Sequence, residues 1–181
     1  MTPDFTRNHF ELFGLPVAYA IDLERLDRDY REVQGRVHPD RFAAAAESEK
    51  RLSMQWATQA NEAYRTLRDP VSRARYLLSL KGFDTGEETN TAMPPDFLMQ
   101  QMELREAAAE ARAARDAHAL EGLRLSIAAG REEMLRLLGR ALDADRNYDA
   151  GCSLVRKLRF LEKVDEELDE SLEALQPEEA R

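Results

Sequence analysis

Residues 22–42 read DLERLDRDYREVQGRVHPDRF and contain an amphipathic helix followed by the signal that ends it. Asp22 is a candidate N-cap for this helix. Pro39 restricts the residue before it to extended geometry, so the helix must stop at His38. Apolar side chains recur every three or four residues and therefore line one helical face. That stripe consists of Leu23, Leu26, Tyr30, Val33 and Val37.

Helical patterns flank this stretch on both sides. A short helix is predicted in NHFELF, residues 8–13, with Asn8 as its cap and Gly14 as its end. After the tripeptide, another amphipathic run ends at Asp69 and Pro70, which are typical of the cap and first position of a further helix, stopped by Gly82. The predicted core face of the amphipathic run comprises Met54, Ala57, Asn61, Tyr64 and Leu67. Two helices of this length joined by a short polar loop predict an antiparallel hairpin.

The composition favours helix throughout and excludes several protein classes. Eight Gly, seven Pro and abundant Ala, Leu, Glu and Arg predict an all-α fold. No run approaches the roughly 20 apolar residues of a membrane span. The first thirty residues carry six acidic side chains and no apolar core segment, which argues against a leader peptide. A lone cysteine, Cys152, permits no internal disulfide or Cys-rich metal site, so we expect a reducing cytoplasm.

Charge divides the chain into two parts. Residues 1–82 contain 13 basic and 12 acidic side chains, whereas residues 83–181 contain 13 basic and 23 acidic ones, which accounts for the net charge of −9. The segment 83–95, rich in Gly, Pro, Thr and acid, is typical of a linker. We therefore predict a first domain at 1–82, a linker at 83–95 and a second domain at 96–181. Acidic helices can serve solubility alone, or the two parts can have different partners. The acidity argues against nucleic acid.

The second part predicts a three-helix bundle, with helices at about 96–118, 120–142 and 147–175. Leucines of the last helix form a core stripe: Leu154, Leu158, Leu161, Leu168, Leu172 and Leu175. In the first of the three helices, the residues assigned to the core by helical phase are Phe97, Leu104, Ala108 and Ala111.

Helical phase turns a second apolar group of that first helix away from the core. The group comprises Leu98, Met99 and Met102, edged by Glu103, Glu106 and Glu110. Phe160, well off the leucine stripe of the last helix, is predicted to join this surface. An apolar cluster on the solvent side indicates a binding surface. The alternative is that Leu98 and its neighbours pack against the first domain or the linker.

The tripeptide His38-Pro39-Asp40 permits three interpretations. It can be a stiff turn with Asp40 solvated or capping a helix. His38 and Asp40 can be a base and its orienting group in hydrolysis. That reading is disfavoured, because a loop tip offers no pocket to exclude water and no Ser or Cys is near. His9 and His118 lack ligand spacing, which argues against a metal site. The order short helix, amphipathic helix, tripeptide, long helix resembles the J-domain of DnaJ-type co-chaperones.

Over essentially its full length the chain resembles the HscB family, the J-domain co-chaperones of iron–sulfur cluster biogenesis. The matching motifs occur in family order: FELFGLP (10–16), HPDRF (38–42), ARYLLSLKGFD (74–84), DFLMQQMELRE (96–106) and VRKLRFLEKV (155–164). The tripeptide alone indicates only a J-protein, whereas the second-domain motifs support the narrower family.

The resemblance implies two protein partners and no cofactor, nucleic acid or membrane. The J-domain would stimulate ATP hydrolysis by HscA, a DnaK-type chaperone, through His38, Pro39 and Asp40. Its second helix would dock on the chaperone through the face that carries Arg25, Arg28 and Arg31, which otherwise form an ordinary solvated surface. The C-terminal domain would present the cluster scaffold IscU. The implied scaffold-binding residues are Leu98, Met99, Met102, Glu103, Glu106, Glu110 and Phe160.

The alternative to a specialised co-chaperone is a general J-protein that delivers unfolded polypeptides. Such a protein would bind denatured polypeptides broadly, whereas the specialised co-chaperone would bind one folded scaffold. An enzyme would turn over a substrate without any chaperone and would lose that activity in His38→Ala.

Overall fold

The computed structural model describes residues 6–37, 46–86 and 94–175. Within these ranges all regular secondary structure is helical, which confirms the all-α class. The helices are α1 (His9–Leu12), α2 (Leu23–Val37), α3 (Glu47–Arg68), α4 (Pro70–Leu80), α5 (Pro95–Ala113), α6 (Ala117–Gly139), a π-helical segment (Arg140–Ala144) and α7 (Tyr148–Leu175). Among the described helices, none combines the length and apolar content that crossing a membrane requires.

The predicted N-caps are present at the starts of α1, α2 and α4. Asn8 and Glu11 form a reciprocal capping box on α1. The Asp22 carboxylate accepts a hydrogen bond from the backbone N–H of Arg25, 2.9 Å away. Asp69 does the same for α4, whose first residue is proline, at 2.7 Å from the N–H of Ser72. The sequence predicts these helix starts correctly because a cap involves only residues within one turn.

α2 and α3 form the predicted antiparallel hairpin. The rings of Tyr30 and Tyr64 stack with centroids 3.9 Å apart. The Tyr30 hydroxyl donates to Asn61 at 2.8 Å, and the Tyr64 hydroxyl donates to Asp27 at 3.0 Å. The pairing of 27 with 64 and of 30 with 61 fixes the antiparallel register. The tip of the hairpin, including His38-Pro39-Asp40, lies outside the described residues.

Leu23 and Met54, the first residues of the two predicted apolar faces, do not belong to the core, since they are 36% and 55% exposed. Leu23 is the first residue of α2, at the level where α3 ends. The buried residues of α3 are Leu67, which was on the predicted face, and Ser53, Ala60 and Ala63, which were not. Because α3 packs against α1 and α4 as well as α2, its buried face includes small residues that permit close approach.

α5, α6 and α7 pack together as the predicted bundle. The break between the first two lies at 114–116, earlier than the predicted 118–120. Arg115 adopts a positive φ of 54°, and the Asp116 side chain caps α6 by accepting from the N–H of Ala119 at 2.9 Å. α6 therefore begins earlier than the hydrophobic pattern predicts, because Asp at an N-cap satisfies an otherwise unpaired backbone donor.

Two apolar clusters form the interior. The second joins α5, α6 and α7 and includes Leu120, Ile127 and Leu168. The first begins in α1–α4 and continues into the bundle through Leu138, Leu142, Cys152, Val155 and Leu158. The predicted domain limits at 82 and 96 stay a prediction, but the interior is continuous across them. The position of α2 is therefore coupled by packing to that of the bundle.

Candidate functional site

The outer face of α5 presents an apolar patch to solvent. Leu98, Met99 and Met102, which we call the α5 patch, are 40%, 63% and 63% exposed. Phe97, on the opposite side of the same helix, is only 4% exposed. The prediction that helical phase separates these residues is confirmed. This exposure contradicts the alternative in which the patch packs against the first domain as far as that domain is described, whereas linker residues 87–93 lie outside the described residues.

Carboxylates border the α5 patch on the same helix. Glu103, Glu106 and Glu110 are all exposed, as predicted. Leu104 is partly buried and Ala108 and Ala111 are buried, so the core side of α5 also follows the predicted phase. An apolar centre with charged residues at its edge is the usual arrangement of a protein-binding surface.

Phe160 of α7 lies beside α5 and is only partly exposed to solvent. Its ring makes an edge-to-face contact with Phe97, with centroids 5.9 Å apart and planes at 76°. The guanidinium of Arg105 lies 4.9 Å from its centroid. Phe160 is partly buried, so only part of its ring can contribute to the predicted surface, and its role in scaffold binding stays a prediction. It supports α5 from the side because α5 and α7 cross at this level.

Polar contacts also fix α5 against α7. Arg105 pairs with Glu167 at 3.3 Å, and Arg112 donates to the hydroxyl of Ser171 at 2.6 Å. The ammonium group of Lys157 lies 5.2 Å from the centroid of Phe97. Sequence reasoning missed these contacts. A basic residue on the flank of a helical stripe is a weak signal, since most such residues are simply solvated.

The three arginines of α2 differ in what they contact. Arg25 donates to the carbonyl of Gly14 at 2.8 Å and lies 3.4 Å from the carboxylate of Asp29. Arg31 donates to the carbonyl of Asp27 at 3.1 Å. Arg28 is exposed and has no hydrogen bond or ion pair within the described part of the chain. Of the three, Arg28 is therefore the most available to a partner, and Arg25 also has a structural role.

The two described histidines lie on different helices, His9 on α1 and His118 on α6. His9 stacks on Tyr76 with centroids 4.1 Å apart. Residues 6–37, 46–86 and 94–175 contain no cluster of three or more His, Cys, Asp or Glu that could hold a metal ion. Cys152 is buried, and burial raises the pKa of its thiol, which disfavours the reactive thiolate.

Known proteins match this chain over most of its length. Residues 93–169 match the family model described as the HSCB C-terminal oligomerisation domain. The "Co-chaperone protein HscB homolog" of Burkholderia multivorans is 52% identical over 93% of this chain and 96% of its own. The protein of that name from Aromatoleum aromaticum is 48% identical over 97% and 99%.

Solved structures agree with these relatives. Chaperone HscB from Vibrio cholerae has a TM-score of 0.83 and 38% identity, covering 94% of this chain and all of its own. The human co-chaperone protein HscB has a TM-score of 0.87 and 30% identity, covering 93% of this chain and 84% of its own. These proteins are named co-chaperones or chaperones and not enzymes. With half of its residues identical to those of such relatives over nearly the whole length, the chain belongs to the HscB co-chaperone family.

Proposed function

We propose that this co-chaperone stimulates the ATPase of an HscA-type chaperone and delivers an IscU-type scaffold to it, in support of iron–sulfur cluster assembly. The observation that carries the proposal is the α5 patch, three large apolar side chains that face solvent on a helix whose other side is buried. A chain that needed α5 only for its own core would not require apolar residues on the outer face.

The proposed scaffold contact depends on burial of the α5 patch. Covering each of its side chains contributes roughly 1.5–3 kcal/mol before the costs of association and ordering. Methionine adapts its shape to a partner because its side chain is unbranched and polarizable. Glu103, Glu106 and Glu110 would then select a basic rim on the scaffold and determine the orientation of docking.

The proposed chaperone contact uses α2 and the hairpin tip. Asp40, outside the described residues, would form a charge-assisted hydrogen bond with a chaperone cation, worth about 1.5–3 kcal/mol. Binding accelerates hydrolysis only if it favours the hydrolysis-competent conformation of the chaperone over the resting one. His38 and Pro39 would hold Asp40 in the orientation that this contact needs. We place this activity in a reducing cytoplasm, with which the single, buried Cys152 is compatible.

Two variants test the division of labour between these surfaces. In Asp40→Asn we expect no stimulation of the chaperone ATPase and scaffold binding within about twofold of native, since the neutral amide loses the charge-assisted bond. In Leu98→Ala/Met102→Ala we expect the scaffold Kd to rise by about 100-fold, from the apolar area lost. Stimulation by this second variant in the absence of scaffold should stay native. Titration calorimetry and a coupled ATPase assay measure the two quantities.

Leu125→Ala is the matched control for the α5 patch. Leu125 lies on α6 and is 63% exposed, so its truncation removes a similar apolar side chain from a different surface. Scaffold binding by this control should be unchanged. Equal loss of both activities in either test variant would contradict the proposal. Tight binding of denatured polypeptides by the native protein would instead favour a general J-protein.

A further inference from the structure

The loop between α1 and α2 is bonded to a residue more than 120 positions away. Both oxygens of the Asp143 carboxylate accept backbone hydrogen bonds from this loop, one from the N–H of Tyr19 and one from that of Ala20, each at 2.8 Å. A carboxylate that receives two adjacent backbone donors fixes the loop in distance and in orientation. The α1–α2 loop is thus held by the bundle as well as by its own helices.

Asp143 lies within the π-helical segment that follows α6. The N–H of Asp145 donates to the carbonyl of Arg140, five residues earlier, at 3.0 Å. The N–H of Asn147 donates to the carbonyl of Ala141, six residues earlier, at 2.8 Å. π-Helical turns are rare and occur frequently at functional sites.

Tyr19 anchors the same loop by packing. It is buried, and its ring is so close to α6 that a Cβ at Gly139 would lie 3.2 Å from two ring carbons. The guanidinium of Arg73 lies 5.0 Å from the ring centroid and donates to the carbonyl of Leu67 at 2.7 Å. The loop thus contacts α4 and α6 at once.

The other end of the loop is bonded to α2. Arg25, in the first turns of α2, donates to the carbonyl of Gly14, whose φ is +58°. A continuous series of contacts therefore runs from α2 through residues 14–20 and Asp143 to the bundle that contains α5. α2 and α5 carry the two surfaces of the proposed function.

We propose that Asp143 is a positioning residue that holds α2 at a fixed orientation to α5, so that a bound scaffold is presented to the chaperone in one geometry. This inference rests on the proposed function. When two binding surfaces share one rigid body, engagement of one raises the effective concentration at the other, and this gain is lost if the geometry varies. Asp143 touches neither partner in this scheme and acts through the α1–α2 loop.

The test uses the full-length Asp143→Asn variant. The amide retains one acceptor and places N–H groups against a backbone donor, so one of the two bonds is lost. Asp143 is exposed and asparagine has the same shape, so the variant keeps one of the two bonds and should fold. Asp145→Asn is the matched control, because Asp145 is also exposed and pairs with Arg140 and not with the loop.

The first measurement is the ATPase rate of the chaperone with co-chaperone alone, scaffold alone and both together. For Asp143→Asn we expect the rate with co-chaperone alone and the scaffold Kd to stay within about twofold of native. The extra stimulation obtained when both proteins are present should fall at least about fivefold, the lower end of coupling effects between sites. Asp145→Asn should retain the extra stimulation.

The second measurement is the distance between spin labels on α2 and α5, at Glu24→Cys and Gln100→Cys in a Cys152→Ala background. Both label sites are exposed and belong to neither proposed binding surface. We expect one narrow distance distribution in the native sequence and in Asp145→Asn, and a broader one in Asp143→Asn.

An unchanged distribution in Asp143→Asn would overturn the positioning role, whatever the ATPase assays show. A broader distribution with undiminished extra stimulation would also overturn it. If the native protein shows no extra stimulation by the scaffold, the proposed function itself fails, and the inference fails with it.

Discussion

The outer faces of α2 and α5 differ in how far their side chains are engaged within the molecule. On α2, Arg25 and Arg31 bond to backbone carbonyls, and Arg36 pairs with Glu32. On α5, the three side chains of the α5 patch remain largely exposed. One face is charged and mostly satisfied internally, and the other is apolar and uncovered.

This difference implies two kinds of binding. A partner of α2 must compete with bonds that already exist, so its contact gains little from most of these charges. A partner of α5 gains the full effect of removing apolar surface from water. We therefore expect scaffold binding to depend on apolar contact area, and chaperone binding to depend on a few correctly placed groups.

Phe160→Ala provides the largest expected change in stability, because this ring lies on the boundary between the outer face of α5 and the interior. It contacts Phe97 and Arg105 and packs against the second apolar cluster. Phe→Ala in a full core costs 3–5 kcal/mol, so for a partly buried ring we expect the free energy of unfolding to fall by about 2 kcal/mol. Urea unfolding followed by circular dichroism measures this change.

Met99→Ala is the control, since Met99 is 63% exposed. Its free energy of unfolding should stay within about 0.5 kcal/mol of native. If Phe160→Ala were equally harmless to stability and weakened only scaffold binding, Phe160 would belong to the binding face and not to the support of α5.

Arg25→Ala and Arg28→Ala separate the internal bonds of α2 from its available charge. Arg25→Ala removes the donor to the carbonyl of Gly14 and should lower the free energy of unfolding by about 1 kcal/mol. Arg28→Ala should leave stability within about 0.5 kcal/mol. It should raise the co-chaperone concentration needed for half-maximal ATPase stimulation severalfold.

The same pair of measurements, thermal unfolding and an ATPase titration, applies to both arginine variants. The prediction is that Arg25→Ala mainly lowers the stability and that Arg28→Ala mainly shifts the ATPase titration. The prediction is wrong if Arg28→Ala lowers the stability. It is also wrong if Arg25→Ala changes neither the stability nor the ATPase titration. Either result would show that the contacts of α2 do not distinguish these two arginines.

Much of the fold followed from the sequence because its signals are local. The caps Asn8, Asp22 and Asp69 involve bonds three residues away. The phase of α5 was also correct, because Phe97 and Ala108 differ clearly in character from the charged and methionine-rich outer positions. A helix with one buried side can be assigned from its period alone.

The sequence did not predict the environment of residues whose burial or bonding depends on tertiary contacts. Met54 fits an apolar stripe, but α3 packs on three helices and buries alanines instead. The bonds from Asp143 to residues 19 and 20 join parts of the chain more than 120 positions apart, and no spacing rule predicts them. The partly buried state of Phe160 depends on where α5 and α7 cross, which a single helix does not reveal.

Glu106→Gln should give the smallest effect and tests whether charge on α5 acts on rate more than on affinity. Glu106 is exposed beside the α5 patch. Loss of one such charge should slow scaffold association about twofold at low salt and leave dissociation unchanged, because long-range attraction acts mainly before contact. The difference should vanish at about 0.5 M NaCl, where the Debye length is shorter than the separation between approaching surfaces.

Stopped-flow association at both salt concentrations measures this, with Glu132→Gln on α6 as the control for loss of one exposed negative charge. The control should associate at the native rate, since Glu132 lies on a different helix from the proposed scaffold face. A faster dissociation in Glu106→Gln that persists at high salt would mean that this carboxylate forms a direct, water-excluded bond to the scaffold. In that case α5 would bind by a few placed groups as well, and the distinction between the faces of α2 and α5 would no longer hold.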